Sequence, residues 1–336
     1  MQRLRNSDRG ATAVIVALVL PVLLAVAALA IEIAVLHADK QQLQTGADAA
    51  VLAVAQDCTR NGCSNATATA EDMARANKND GQATATFVDP DTGSPATSPT
   101  EADGSVTVRT ETVREHFFAP ILGVNETAAS AQASARWGYP VAGTAVLPLV
   151  LSWCELESQA GVSVIRDPGG EVVGLDFAGI APTPHTILMT KSSRSDCTGP
   201  SNLMLPGGFG WLTPDGAVCT EVTSAVGDVV SSDPGNSPPS VCQPSDFSEW
   251  IGQTVLLPVF DTVGIGGTYA IFGYAAFTLT GFYFAGQFAY PAGAPPCRGE
   301  ERCIRGTFDR FVDLSDNFDY SPLGPRLGAA VVALTQ

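Results

Sequence analysis

The sequence predicts an α+β fold in which an N-terminal transmembrane helix extends into a helix packed on a small antiparallel sheet, followed by a β-rich domain that contains disulfides. Three observations predict it: a long apolar run near the N-terminus, an apolar stripe at helical spacing after it, and short β-branched runs separated by glycine and proline. We expect a cytoplasmic tail at residues 1–10, the transmembrane helix at 11–36, an exoplasmic α+β module at 37–139 and an exoplasmic β-rich domain at 140–336.

The apolar run at residues 11–36 contains a single charged residue, Glu32, and exceeds the roughly 20 apolar residues that cross a bilayer. Arginines precede the run, and such an excess of positive charge marks the cytoplasmic side. We therefore expect a single-pass protein of the cell membrane with its N-terminus in the cytoplasm and its bulk extracellular or periplasmic. The alternative is a cleaved signal peptide, because residues 28–30 form an A-x-A pattern. The length of the run and the helical pattern beyond it favour the anchor.

The cysteines of the chain predict disulfides. No two of them form a C-x-x-C pair, and only three histidines are present to complete a zinc site, so disulfides in an oxidising compartment are favoured over metal. That compartment agrees with the orientation that the arginines predict. The short gaps between Cys58 and Cys63 and between Cys297 and Cys303 favour local loops, whereas the full pairing stays open. The eight candidates are Cys58, Cys63, Cys154, Cys197, Cys219, Cys242, Cys297 and Cys303.

The net charge of the chain limits the kinds of partner that it can bind. The formal net charge is −16 and the pI is about 4.4. An acidic protein repels phosphate backbones and anionic lipid headgroups, so we expect no nucleic-acid partner and no peripheral electrostatic attachment to a membrane. The membrane contact that the sequence predicts is the N-terminal anchor.

An apolar stripe continues the helix past the membrane to about Gln56, with polar residues at most of the other positions. Two interpretations stay open. The stripe either packs on the protein's own sheet or contacts a partner subunit, and Glu32 near the outer membrane boundary either reaches water or pairs with a partner helix. The positions predicted to face a partner are Glu32, Leu36, Leu43, Ala47, Val51 and Val54.

The N-terminal stretch shows an ordered pattern: an Arg-Gly start, an apolar helix, an acidic residue near its outer end, a Gln-Leu-Gln stretch and an Ala/Asp-rich helical turn. It resembles the N-terminal signature of the TadE/TadG-like proteins of Flp (tight adherence) pilus assembly, over about the first sixth of the chain. The matching positions are Arg9, Gly10, Glu32, Gln42, Leu43, Gln44, Ala47, Asp48, Ala49 and Ala50.

This resemblance implies a membrane-anchored, non-enzymatic component of Flp/Tad pilus assembly or of related cell-surface or secretion machinery, acting by protein–protein contact. It also implies a pilin-like arrangement of helix and sheet. The partners would be other pilus-assembly or envelope proteins, and a homo-oligomer stays open.

The sequence departs from this group of families in two places. Prepilin-like proteins carry Glu five residues after the processing glycine, whereas this chain has Ile15 there, which argues against processing by prepilin peptidase. Some TadG-type proteins carry a von Willebrand A domain with an Asp-x-Ser-x-Ser metal site. The nearest string here begins at Asp313 and ends with Asn317 instead of serine, and too little chain follows for the rest of that domain.

Patterns in the exoplasmic part predict individual elements. A helix is expected to end at Gly81, strands are expected at residues 84–88 and 105–113, and a third strand is expected after the short apolar element at 116–123. Together they predict a helix over a three-stranded sheet. After Pro140, short runs broken by turn residues predict the β-rich domain.

One segment of the β-rich region has two interpretations. Residues 263–291 carry no charge and are long enough for a second membrane span. We favour strands, because aromatic and β-branched residues dominate the segment and a second crossing would bring Cys297 and Cys303 into a reducing cytoplasm.

Motifs for catalysis are absent from the sequence, which contains no G-x-S-x-G, H-E-x-x-H or P-loop pattern. We therefore predict no catalytic, cofactor-binding or metal-binding residues, no cofactor and no enzymatic activity. The alternative class is an envelope-anchored or secreted hydrolase or ligand-binding protein. It would need His185, the candidate base of the second domain, in a cleft with carboxylates and a hydroxyl.

Overall fold

The structure, a computed structural model, describes residues 8–160, 163–177, 183–189, 193–309, 311–312 and 315–335. The described chain contains more strand than helix, and its longest element is an N-terminal helix. The helices are α1 (Asp8–Asn61), α2 (Ala66–Ala76), α3 (Trp153–Ala160) and α4 (Pro244–Ser248), with 3₁₀ turns at Glu101–Asp103 and Ala119–Leu122.

The strands follow in chain order. They are β1 (Thr84–Phe87), β2 (Ser105–Glu115), β3 (Glu126–Ala145), β4 (Leu149–Ser152), β5 (Ser163–Arg166), β6 (Val172–Asp176), β7 (His185–Leu188), β8 (Ser193–Thr198), β9 (Met204–Pro206), β10 (Phe209–Trp211), β11 (Val222–Ala225), β12 (Val229–Ser231), β13 (Thr254–Val263), β14 (Thr268–Ala285), β15 (Phe288–Tyr290), β16 (Cys303–Asp309), β17 (Phe318–Ser321) and β18 (Val331–Thr335).

Helix α1 is 54 residues long and joins the apolar run to the body of the protein without a break. The predicted extension to about Gln56 is confirmed, and the helix ends at Asn61. From Leu43 onward one face of α1 is buried against a sheet. Two bonds fix this docking: the Thr110 hydroxyl donates to the Leu43 carbonyl at 2.9 Å, and the Tyr139 hydroxyl donates to the Thr59 carbonyl at 3.1 Å.

Helix α2 runs back along α1. Gly46 of α1 faces Ala74 of α2 so closely that a Cβ at residue 46 would lie 3.4 Å from the Ala74 Cα. The sequence predicted that this second helix ends at Gly81, whereas it ends at Ala76. The Asn77 side chain explains the earlier end, because its amide donates to the Met73 carbonyl at 2.8 Å and competes with further backbone pairing.

The first sheet has the order β1-β2-β3-β11, with β17 and β18 also paired to β3, all antiparallel. The three-stranded sheet that the sequence predicted is thus six-stranded in the described chain. The reason is the 20-residue length of β3. Only its first half pairs with β2, so its other edge and its second half need further partners, which later parts of the chain supply.

The predicted boundary between the two exoplasmic domains at residue 139 stays a prediction. Strand β3 runs continuously across that position, and β18 at the C-terminus returns to the first sheet beside residues 134–138. The chain therefore links the two parts both through β3 and through its last strand.

The second sheet has the order β10-β4-β13-β14-β16-β7, with β12 and β15 also paired to β14. Aromatic side chains fill its core, for example Trp211 against Phe284 with ring centroids 4.8 Å apart. Strand β14 and its neighbour β15 occupy most of the charge-free segment at residues 263–291, so the predicted strands are confirmed there. The β-rich, disulfide-containing character of this part of the chain is confirmed as well.

All eight cysteines form disulfides, as the sequence predicted. The two local loops are confirmed, and the structure resolves the pairing that the sequence left open. A cross-link that closes a longer loop removes more entropy from the unfolded chain and so stabilises the folded state more. The expected stabilisation is about 4 kcal/mol for the longest of these loops and about 2 kcal/mol for the shortest. The pairs are Cys58–Cys63, Cys154–Cys197, Cys219–Cys242 and Cys297–Cys303.

Candidate functional site

The apolar part of α1 is exposed along its length. Within the described chain, α1 is the one helix that is both long enough and apolar enough to cross a membrane. None of its most apolar stretch is buried. Side chains such as Leu18, Leu23 and Ile31 are more than half exposed. Transferring such a side chain from water to an apolar environment is favourable by about 1.5–3 kcal/mol. The segment is therefore a candidate membrane anchor.

Glu32 ends this apolar part and contacts the loop between β2 and β3. Its carboxylate accepts hydrogen bonds from the Phe118 amide at 2.9 Å and from the Ala119 amide at 3.1 Å. The His116 Nδ1 lies 3.6 Å from the same carboxylate. These amides begin the 3₁₀ turn at Ala119–Leu122, so Glu32 caps a turn that lies 86 residues away in the sequence. Glu32 thus joins the helix to the end of the β2–β3 hairpin.

A charged cluster surrounds α1 about two turns further along. The Lys78 ammonium contacts Asp39 at 2.9 Å and Asp80 at 2.7 Å, and the Arg114 guanidinium lies 3.6 Å from Asp39. The Lys78 side chain is only 2% exposed, and the Asp39 side chain only 6%. Together these four residues, the charged cluster, tie α1 to the end of α2 and to β2.

The charged cluster shifts two pKa values. The hydrogen bond from Lys78 holds the pKa of Asp80 below its ordinary value, against burial, which raises it. Burial lowers the pKa of Lys78, but its hydrogen bonds to Asp80 and Asp39 outweigh burial and raise it. Opposite charges that contact each other favour the ionised form of each.

We expect the charged cluster to stabilise the folded state by a constant amount at intermediate pH. This contribution should be lost at both extremes of pH. Asp80 has a lowered folded pKa, so its contribution is complete above its ordinary pKa of 3.8 and is lost as the pH falls through the folded value. Lys78 has a raised folded pKa, so its contribution is complete below 10.5 and is lost as the pH rises through the folded value. Denaturant unfolding of wild type and Asp80→Asn as the pH is lowered measures the loss on the acid side.

The difference in unfolding free energy between the two proteins should shrink in acid. Asp72→Asn, an exposed change on α2, should have the unfolding free energy of wild type throughout.

The apolar stripe lies mainly inside the protein. Leu36 is half-buried, whereas the four later positions of the stripe, from Leu43 to Val54, are almost completely buried between α1, α2 and the first sheet. Small side chains on β3 allow this close approach, among them Ala131, Ala133 and Ala135. The partner-facing role of the stripe stays a prediction, and a partner would have to displace the chain's own sheet to reach its buried part. Those buried residues are Leu43, Ala47, Val51 and Val54.

The candidate base His185 lies on β7, and its Nε2 is 3.3 Å from the Thr183 hydroxyl. The described residues contain no group of three or more His, Cys, Asp or Glu side chains placed to hold a metal ion. A cleft of about 650 Å³ lies between the two sheets near Trp250 and Phe318, and His185 is not among its lining residues. Of the string considered for a von Willebrand A metal site, Asp313 lies outside the described residues.

The part of the chain that holds Glu32 and the stripe matches a known family. Residues 10–57 match the model of the Tad family, described as Flp pilus-assembly TadE/G-like. This N-terminal segment is therefore similar to TadE/G-like proteins, and we call it the TadE/G-like segment. This TadE/G-like segment covers nearly all of α1, from the apolar part to the residue before Cys58. The match and the apolar helix support a membrane protein associated with Flp/Tad pili. No curated protein and no solved structure matches the chain significantly.

The partners of the TadE/G-like segment include residues that sequence reasoning missed. His116 and the Phe118 amide contact Glu32, and Lys78 and Arg114 contact Asp39. For His116 and Phe118 the signal in the sequence was the apolar element at 116–123, which lies between charged strand ends, and no pattern singled out Lys78 or Arg114. The pairing itself depends on the hairpin returning to α1, which no local pattern indicates.

Proposed function

We propose that this protein is a non-enzymatic component of Flp/Tad pilus assembly, or of related cell-surface machinery, held in the membrane by α1 and acting through protein–protein contacts. The observation that carries the proposal is the family match at residues 10–57, which falls on the apolar, exposed half of α1 and its extension. The absence of catalytic motifs from the sequence supports a structural role.

We place the N-terminus in the cytoplasm and the remainder outside. The arginines before the apolar segment support this orientation, and the four disulfides support an oxidising compartment for the body. Every disulfide lies after the apolar part of α1, so a single crossing places all of them on the same side of the membrane.

The proposed contacts are with other pilus-assembly or envelope proteins or with a second copy of this chain. Leu36 is the most accessible residue of the predicted stripe, because the rest is buried in the chain's own fold. We therefore expect partners to dock beside the membrane boundary around Leu36 and on the exposed faces of the body, rather than on the buried part of the stripe.

A deletion strain of the source organism tests the proposal. Piliation should be lost and should return with the wild-type gene and with His185→Ala, because the proposed role needs no catalytic base. A variant lacking residues 12–31 should not restore it, because it lacks the anchor. Normal pili in the deletion strain would contradict the proposal. Rescue by wild type but not by His185→Ala would favour the hydrolase class instead.

A further inference from the structure

The loop between β2 and β3 exposes an unusual number of large apolar side chains. Phe117 is 84% exposed and Ile121 is 86% exposed, and Phe118 and Val124 are each close to half exposed. We call these four residues the apolar tip. Solvent-facing turns are usually polar, and contiguous exposed apolar surface marks a site that is covered by a partner or a membrane.

Glu32 fixes the position of the apolar tip along α1. Its carboxylate accepts hydrogen bonds from the amides of Phe118 and Ala119, and its own residue is only 8% exposed. From Thr12, near the start of the apolar run, to Glu32 the helix rises about 30 Å, which is also the typical thickness of a bilayer's hydrocarbon core. The apolar tip is therefore held at the level where the helix leaves the hydrocarbon.

The charged cluster limits how deeply the protein can insert into the bilayer. Asp39 lies about 10 Å further along α1 than Glu32, at the helical rise, and its partners Lys78 and Arg114 lie at the same level. Charged groups are costly inside hydrocarbon, so the cluster must stay on the aqueous side of the boundary. The apolar tip lies on the membrane side of this level, bound to Glu32, and Leu29 and Ile33 on either side of Glu32 in the helix are themselves exposed.

We propose that the apolar tip enters the outer leaflet beside α1, so that the protein contacts the bilayer through both a spanning helix and a hairpin loop. The inference rests on the proposed anchoring by α1 and goes beyond it. The occupant of this surface is lipid, because Glu32 holds the loop against α1 at the end of the segment that, on the proposed anchoring, the membrane surrounds. Phe117 and Ile121 insert into the boundary between headgroups and acyl chains, and Glu32 is the positioning residue that holds the loop against the helix. Such a second contact restricts the tilt and rotation of the body relative to the membrane.

The test measures contact of the tip with lipid in full-length protein reconstituted into phosphatidylcholine vesicles. All native cysteines are in disulfides, so a cysteine introduced by Phe117→Cys can be labelled alone with an environment-sensitive nitrobenzoxadiazole dye. Spin-labelled lipids with a shallow nitroxide should quench about half of its emission, because insertion of ~5–10 Å brings the dye to the nitroxide. Ile265→Cys is the matched control, since Ile265 is equally apolar and fully exposed but lies in the β13–β14 turn, and it should not be quenched.

A second variant tests the role of Glu32. Glu32→Ala removes both acceptor oxygens and should reduce the quenching at residue 117, whereas Glu32→Gln keeps one acceptor and should reduce it less. Ile121→Cys gives an independent labelling position should the change at residue 117 disturb folding.

Each outcome decides the proposal. Protein that floats with the vesicles but shows a water-exposed, unquenched dye at residues 117 and 121 overturns insertion and leaves the anchor intact. A dye that is shielded from water but not quenched by lipid shows that protein covers the tip, which also overturns it. Protein that does not float with the vesicles overturns both the anchor and this inference.

Discussion

Replacing Lys78 by methionine is expected to destabilise the protein by about 3–5 kcal/mol, the typical cost of removing one partner from a buried ion pair. The Lys78 side chain is 2% exposed and contacts both Asp39 and Asp80. Without it Asp39 stays buried and its Oδ1 loses the Lys78 ammonium, while its Oδ2 already has no hydrogen-bond partner among the described residues. Arg114, 3.6 Å away and 30% exposed, compensates only in part, so we expect the lower end of this range. Equilibrium denaturant unfolding of the detergent-solubilised protein measures the loss.

The double variant Asp39→Leu with Lys78→Met is the control for this prediction. It removes both charges of the buried contact, so most of the lost stability should return. Arg75→Met is a matched exposed change on α2, because Arg75 pairs with Glu71 at the surface, and it should cost less than about 1 kcal/mol. A Lys78→Met protein as stable as wild type would show that the cluster is hydrated and contributes little.

Replacing Leu43 by alanine is expected to cost about 2–5 kcal/mol, because the change leaves a cavity in a closely packed core. Leu43 is 1% exposed and is the first residue of α1 in the buried apolar core, and its carbonyl accepts the hydrogen bond from Thr110. The same variant separates the two interpretations of the apolar stripe. A self-packing role predicts lower stability, whereas a partner-binding role predicts unchanged stability with weaker binding.

Leu43→Met is the control, since it keeps nearly the same volume and should cost less than about 1.5 kcal/mol. Thermal or denaturant unfolding of both variants, with recovery of co-purifying envelope proteins as the second readout, gives the answer. Stability of Leu43→Ala equal to that of wild type would contradict the packing seen here and would favour the partner interpretation.

Much of the local structure was predictable from sequence. The strands near residues 84–88 and 105–113 follow from their alternating pattern and appear as β1 and β2. The segment at 263–291 also forms strands, as its aromatic and β-branched content indicated. The size of the first sheet was not predictable, because β11, β17 and β18 reach β3 from distant parts of the chain. Strand pairing over such separations depends on which edges stay open after folding, and no local pattern reports that.

The sequence by itself determined the apolar helix, its helical continuation, the oxidised state expected for the cysteines and the resemblance that the family match at residues 10–57 confirms. These are properties of composition and short-range periodicity. Only the tertiary structure decided that Glu32 binds the β2–β3 loop and that the stripe beyond Leu36 is covered by the chain's own sheet. It also paired Cys154 with Cys197. Each of these contacts joins residues far apart in the chain, so it exists only once folding has brought the two elements together.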